Sequence, residues 1–317
     1  MGGTSALTQH TGLFTPRTAW SDSPVPLRAA VSEALGSAIV GHRDLHGGMS
    51  PGPAAALELA DGRRVFAKAI SSEVRAHNHM LLHRESAVLD ALPKTVPAAR
   101  RLATVEWGSW VALVTTWVDG TFNGPWTDES IKAVVRACRI VGEHRAPNVL
   151  RPVVERIFDF DGWERVLALG PADDWEAEYA GRAAEVVAGW ERWTSGDALV
   201  HRDLRADNTA VDAKTGSATL LDWAYAAAGS PWLDLAQLAA DIVGTGHIHG
   251  PQVATDRAYA LIQMLPVDAA RFVVAQSGVW RIRAATIPDT VMPMISTWRR
   301  ERVQALRPLV TRLIRSL

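Results

Sequence analysis

The stretch Leu199-Val200-His201-Arg202-Asp203-Leu204-Arg205-Ala206-Asp207-Asn208, with Asp222 fourteen residues further on, constrains the fold more than any other part of the chain. An apolar run ends at Val200, and Asp203 then falls in a tight polar loop. Beyond Asn208, Thr209-Ala210-Val211 and Ala218-Thr219-Leu220-Leu221 are short β-prone runs on either side of the polar turn Asp212-Ala213-Lys214-Thr215-Gly216. That pattern predicts a hairpin. Centred on Thr215, it sets positions 208 and 222 opposite each other, so an amide oxygen (Asn208) and a carboxylate (Asp222) face one spot. Hard oxygen ligands on adjacent strands suit Mg²⁺, which takes few protein ligands and fills its shell with water and phosphate. Asp203, on the loop leading into the hairpin, is then near enough to act on a hydroxyl.

The order His201-x-Asp203 with Asn208 five residues on, then a strand-borne Asp222, resembles the catalytic loop and metal aspartate of protein-kinase-like phosphotransferases. The continuation Asp222-Trp223 and Gly229-Ser230-Pro231-Trp232-Leu233-Asp234-Leu235-Ala236 is similar to that of the aminoglycoside phosphotransferase and choline kinase branch. Ser230 stands where that branch usually has an aspartate. The D-F-G and A-P-E segments of protein kinases are missing. The resemblance implies a bilobal α+β fold: a small lobe with a five-stranded antiparallel sheet, and a larger, mainly helical lobe. It implies that Asp203 is the base and that Asn208 and Asp222 hold Mg²⁺. Asp234 is then structural, holding the catalytic loop, while His201 anchors backbone and Asp207 braces the loop. Arg202 is open between a brace and a phosphate contact.

With 317 residues the chain is long enough for two lobes. A net charge of −1 gives no global field for nucleic acid or an anionic membrane, and neither is expected as a partner. Cys138 is the only cysteine, so no internal disulfide can form and a cytoplasmic location is expected. Residues 1–18 lack an apolar core of the signal-peptide kind, and no run of 18 apolar residues occurs.

Along the chain, residues 1–26 carry Pro16, Pro24 and Pro26 without periodicity and are expected to form a flexible arm. Strands around residues 38–40 and 54–60 flank a Gly-rich loop in which Gly47, Gly48, Ser50 and Gly52 are expected to cover nucleotide phosphates. On the next strand, 63–70, Phe66, Lys68 and Ile70 share one face. A lysine there needs a partner. Glu85, within the stripe Leu81, Leu82, Val88, Leu89 and Leu92 of the following helix, is the candidate; Glu73, at the helix entrance, is its rival. A buried ion pair contributes little stability. Its better use is to aim Lys68 at nucleotide phosphates. Strands 101–106 and 110–118 complete the sheet. By resemblance, 115–120 is the hinge, with Thr116, Trp117 and Val118 on the nucleotide.

Helices are expected over 131–143 and 175–193, and His247 with His249 on a solvated loop. Residues 271–317 hold nine arginines against Asp289 and Glu301. Relatives that accept polycationic antibiotics surround the acceptor with acids. Here these would have to come from Asp119, Asp128, Asp159, Asp161, Asp241 or Asp256. The expected organisation is a nucleotide-binding lobe over 27–114, the hinge, and a catalytic and acceptor-binding lobe over 121–317. The expected activity is transfer of the γ-phosphate of ATP or GTP to a hydroxyl of a small molecule, foremost an antibiotic such as an aminoglycoside, basic peptide or macrolide. The alternatives are a metabolic kinase of choline, an amino sugar or a nucleoside, or a non-catalytic nucleotide-binding regulator.

Overall fold

A computed structural model of the chain describes residues 16–46, 48–120, 124–157, 159–287 and 295–317. Helix α1 (Val25–Leu35) precedes β1 (Ile39–Asp44), β2 (Ala54–Leu59) and β3 (Arg64–Ser71); α2 (Ser72–Ala91) then leads to β4 (Arg101–Trp107) and β5 (Trp110–Thr116). The five strands form one antiparallel sheet in the order β1-β2-β3-β5-β4, as expected. The strand period of two divides β3 between two cores. Val65, Ala67 and Ala69 pack with Leu27, Val31 and Leu35 of α1, while Ile70 joins Leu82, Val88 and Leu89 of α2.

Of the arm expected to be flexible over residues 1–26, the described part, 16–26, lies against the sheet. Trp20 is buried in the α1 core, and its N–H donates to Asp44 at 2.8 Å. The prolines that suggested a loose arm instead fit this entry: Pro26 lies in the first turn of α1, where a missing N–H costs nothing.

The helical lobe comprises α3 (Asp128–Gly142), α4 (Gly162–Leu169), α5 (Asp174–Val187), α6 (Trp190–Thr194), α7 (Leu233–Thr245), α8 (Pro251–Gln263), α9 (Val267–Thr286) and α10 (Ile295–Ser316), with β6 (Ala198–Val200), β7 (Thr209–Val211), β8 (Ala218–Leu220) and β9 (Ala227–Gly229) preceding α7. α3 is fixed at its start by a capping box between Thr127 and Ser130. The single helix expected over 175–193 is two, because Gly189 adopts a left-handed φ of 72° between them. His247, expected in solvent, is buried and sits 3.3 Å from Asp128. Among the described residues no helix is long and apolar enough to cross a membrane.

Candidate active site

Between the lobes lies a cleft of about 1590 Å³. Its wall includes Lys68 and Glu85 from the small lobe and Asp203, Asn208 and Asp222 from the large one. β6 delivers the chain to His201, and the loop after it is held from below by α7. Asp234 accepts the backbone N–H of His201 at 2.7 Å and of Arg202 at 2.9 Å. That pair keeps Arg202 at φ 68°, a conformation that disfavours a bulky residue. The His201 ring is fully buried, bonds the Leu221 carbonyl at 2.8 Å and accepts the Asp203 N–H at 3.3 Å. The loop is thus pinned to the hairpin that follows it.

The hairpin register differs by one from the expected one. Thr209 pairs with Leu220 and Val211 with Ala218, and the Leu221 N–H donates to the Asn208 carbonyl. Asn208 therefore stands opposite Leu221, with the axis between Lys214 and Thr215. A one-residue slip in a regular strand would send Asp222 to the other face. It does not, because Asp222 leaves the strand at φ 64° and reaches the cleft. A short carboxylate side chain tolerates that left-handed turn.

Asn208 donates through Nδ2 to the Asp203 carbonyl at 2.8 Å and to the Asp203 carboxylate at 2.9 Å. Both donor hydrogens are spent on Asp203, and the amide oxygen is left for another ligand. That oxygen and the Asp222 carboxylate form a hard-oxygen set suited to Mg²⁺. Among the described residues no cluster of three His, Cys, Asp or Glu could hold a metal. A metal here would complete its shell from phosphate and water, as Mg²⁺ does.

Lys68 Nζ lies 3.2 Å from Glu85 and 3.4 Å from Asp222. Burial works against its charge, but Asp222 and then Glu85 outweigh this and hold Lys68 above its usual range. Burial pushes Glu85 up to about 7. Asp222 stays low despite its enclosure, through Lys68 and then Arg205. Burial raises Asp203, against the pull of Arg205.

Arg205, which had no role in the sequence reading, is central. Its Nε and Nη2 clasp the two oxygens of Asp207 at 2.9 and 3.0 Å, and its Nη1 reaches Asp203 at 3.3 Å. Its place two residues from each aspartate was the available signal. Arg17 was also missed: its Nη1 donates to the Gly52 carbonyl at 3.0 Å, and it lines the cleft. Asp241, buried on α7, accepts from the Ala206 N–H at 2.9 Å and from Arg302 of α10 at 2.7 Å.

Gly48 and Ser50 line the cleft; Gly47 lies outside the described residues. Gly52 is not on the wall. A side chain there would collide with the Ala69 carbonyl, so this glycine lets the loop press onto β3. Thr116, Trp117 and Val118 line the cleft. The Thr116 N–H is committed to the Arg100 carbonyl, while the Trp117 and Val118 N–H groups have no backbone acceptor among the described residues. Glu73 is at the helix entrance as anticipated, with its own N–H on Ser71.

Residues 54–269 match the model of the phosphotransferase enzyme family, APH. No curated protein matches the chain. Among solved structures, an aminoglycoside phosphotransferase APH(4)-Ia variant in ternary complex with ADP and hygromycin B superposes at a TM-score of 0.60 with 11% identity, over 92% of this chain and 99% of that one. The amicoumacin kinase hAmiN, in complex with AMP-PNP, Ca²⁺ and Ami, gives 0.52 and 11%, over 83% and 88%. A Plasmodium vivax ethanolamine kinase gives 0.53 and 12%, over 84% and 81%. At these identities the likeness is one of fold. The family match covers most of the chain, and the chain belongs to the phosphotransferase enzyme family.

Proposed function

We propose that this member of the phosphotransferase family moves the γ-phosphoryl group of ATP or GTP onto a hydroxyl of a small molecule. The observation that carries the reading is the convergence of Asp203, Asn208, Asp222 and Lys68 on one cleft, with Asn208 bonded to Asp203 and Lys68 3.4 Å from Asp222. The acceptor oxygen forms a bond to the γ-phosphorus, the bond from that phosphorus to the β–γ bridging oxygen breaks, and the hydroxyl proton passes to the Asp203 carboxylate. The products are a phosphate monoester and a nucleoside diphosphate.

Asp203 orients the hydroxyl and takes its proton. Lys68, held by Glu85, sets positive charge beside the phosphates. Asn208 and Asp222 would hold Mg²⁺, whose chemistry is to neutralise charge on the β- and γ-phosphates. Trp117 and Val118 offer backbone donors to the base. Most of the acceleration comes from positioning and from charge stabilisation in a walled cleft. An intact set of these side chains disfavours a non-catalytic regulator.

The test is consumption of Mg·ATP and Mg·GTP by purified protein across hydroxylated acceptors, with Asp203→Ala as the control. Acceptor-dependent turnover that is lost in the variant supports the reading. Equal turnover by the variant removes the base assignment. Absence of both turnover and stabilisation by Mg·nucleotide overturns the nucleotide site.

A further inference from the structure

Residues of α7, α9, α10 and the segment before α4 wall one part of the cleft, and arginines predominate among their charged side chains. Arg156, Arg202, Arg283 and Arg299 line it. Beyond the catalytic carboxylates, the six acids that the sequence offers for a cationic acceptor are already engaged. Asp119 takes the Trp117 indole N–H at 2.8 Å. Asp128 pairs with Arg257 at 2.7 Å and Asp159 with Arg283 at 2.7 Å. Asp161 lies 3.9 Å from Arg165, Asp256 3.1 Å from Arg312, and buried Asp241 2.7 Å from Arg302. Of these six, only Asp241 lines the cleft.

Arg202 stands apart from the paired arginines. Its Nε and Nη1 are buried without a hydrogen-bond partner among the described residues. The guanidinium lies over the Phe272 ring at 5.4 Å. Asp234 spends its oxygens on the backbone N–H groups of His201 and Arg202. Burial lowers the Arg202 pKa to about 10, which still leaves it charged at neutral pH. Asp234 and then Asp203 favour its charge through space, but a buried guanidinium with two nitrogens lacking hydrogen bonds is costly. Arg156 makes no ion pair among the described residues either; burial and then Arg151 disfavour its charge, and Glu155 offsets them only in part. Gln237, on the same wall, has a buried Oε1 without a hydrogen-bond partner among the described residues, an acceptor for an O–H or N–H of a ligand.

We propose that the acceptor carries a negative charge: a hydroxylated small molecule bearing a carboxylate or a phosphate monoester, whose anion is gripped by Arg202 beside Asp203 while Arg156 adds charge along the same wall. This rests on the phosphotransferase reading above and names its substrate class. A guanidinium forks onto two oxygens of either anion, which supplies the missing hydrogen bonds and orients the hydroxyl toward the neighbouring base. A polycationic acceptor would meet the same arginines as repulsion.

The experiment uses the full chain saturated with Mg·AMP-PNP for calorimetry, and with Mg·ATP for turnover. D-glycerate, L-homoserine and glycerol 3-phosphate are compared with choline, ethanolamine and hygromycin B. Binding or turnover of at least one anion-bearing probe, weakened about 10-fold or more in Kd or KM by Arg202→Gln, supports the proposal. Arg156→Gln, on a half-exposed segment, gives a second reading should Arg202→Gln fail to fold, with a smaller increase expected in the same direction. Acceptance of the cationic probes alone overturns the proposal, as does anion binding unchanged in both variants, or no anion binding by the nucleotide-loaded protein. In each of these cases a retained Mg·nucleotide complex leaves the phosphotransferase reading standing. Loss of nucleotide binding itself strikes that reading, and this inference with it.

Discussion

Asn208 gives both of its amide N–H bonds to Asp203, one to the carbonyl at 2.8 Å and one to the carboxylate Oδ2 at 2.9 Å. The two side chains are therefore oriented as a unit, and the carboxylate is aimed before any substrate arrives. Asp203→Asn keeps the shape and removes the proton acceptor. The expected result is a fall in kcat of about 10² to 10⁴-fold, the scale of a lost general base, with little change in Mg·nucleotide affinity. Single-turnover kinetics with calorimetry of Mg·AMP-PNP binding separate the two. A kcat within a few-fold of wild type would remove Asp203 from the proton transfer.

Glu85 makes stability depend on pH in a defined direction. Burial moves its folded-state pKa from an ordinary 4.5 to about 7. Between those values the folded protein holds the proton more firmly than the unfolded chain does, so this group's contribution is full below 4.5 and is lost as pH rises through 7. Glu85→Gln cannot titrate. The difference in Tm, variant minus wild type, should therefore rise between pH 5 and pH 8 in the nucleotide-free protein. A flat difference would mean that Lys68 already keeps Glu85 ionised throughout.

Asp234 holds two backbone N–H groups that have no other acceptor among the described residues. Charge-assisted bonds of this kind contribute about 1.5–3 kcal/mol each, and an orphaned buried N–H adds its desolvation penalty. Asp234→Ala should lower stability by about 3 kcal/mol or more. Asp234→Asn, which retains one acceptor oxygen, should lose roughly half as much. Urea denaturation reads both, with the slope unchanged if the unfolded state is untouched. A midpoint at the wild-type value for Asp234→Ala would show that the left-handed turn at Arg202 is held by something else.

What could be read from the sequence followed from periodicity. Lys68 stood out because a period of two placed a cation between Phe66 and Ile70, and Glu85 because a helical stripe placed an anion among leucines. The structure joins them at 3.2 Å. The hairpin register was read one residue out, because pattern alone does not say how many residues the turn takes. Six do, from Asp212 to Ser217, closed by the bond from the Asp212 N–H to the Ser217 carbonyl. Other contacts leave no local trace. Asp241 and Arg302 are 61 positions apart, and only the packing of α10 on α7 brings them together. Arg17 lies 35 positions before Gly52 in a stretch whose prolines suggest disorder.

That last arginine carries a prediction of its own. Arg17 lies under the Gly-rich loop: its Nη1 holds the Gly52 carbonyl at 3.0 Å, and a side chain on Gly48 would meet its Nη2 at 2.7 Å. Burial lowers its pKa, Asp222 draws on it from across the site, and its charge in turn works against that of Lys68. Two cations that repel each other in one cleft gain when an anion comes between them, and nucleotide phosphates are the anions of the proposed reaction. Arg17→Ala should raise the KM for Mg·ATP about 10-fold, with a smaller change in kcat, because it removes charge that binds substrate and transition state alike. Arg17→Lys should recover part of the loss, since a point charge replaces the cation but not its fork of donors. Steady-state kinetics at fixed acceptor concentration measure both. An unchanged KM in Arg17→Ala would confine Arg17 to supporting the loop, and a melting curve would then register the loss of its bond to Gly52 instead.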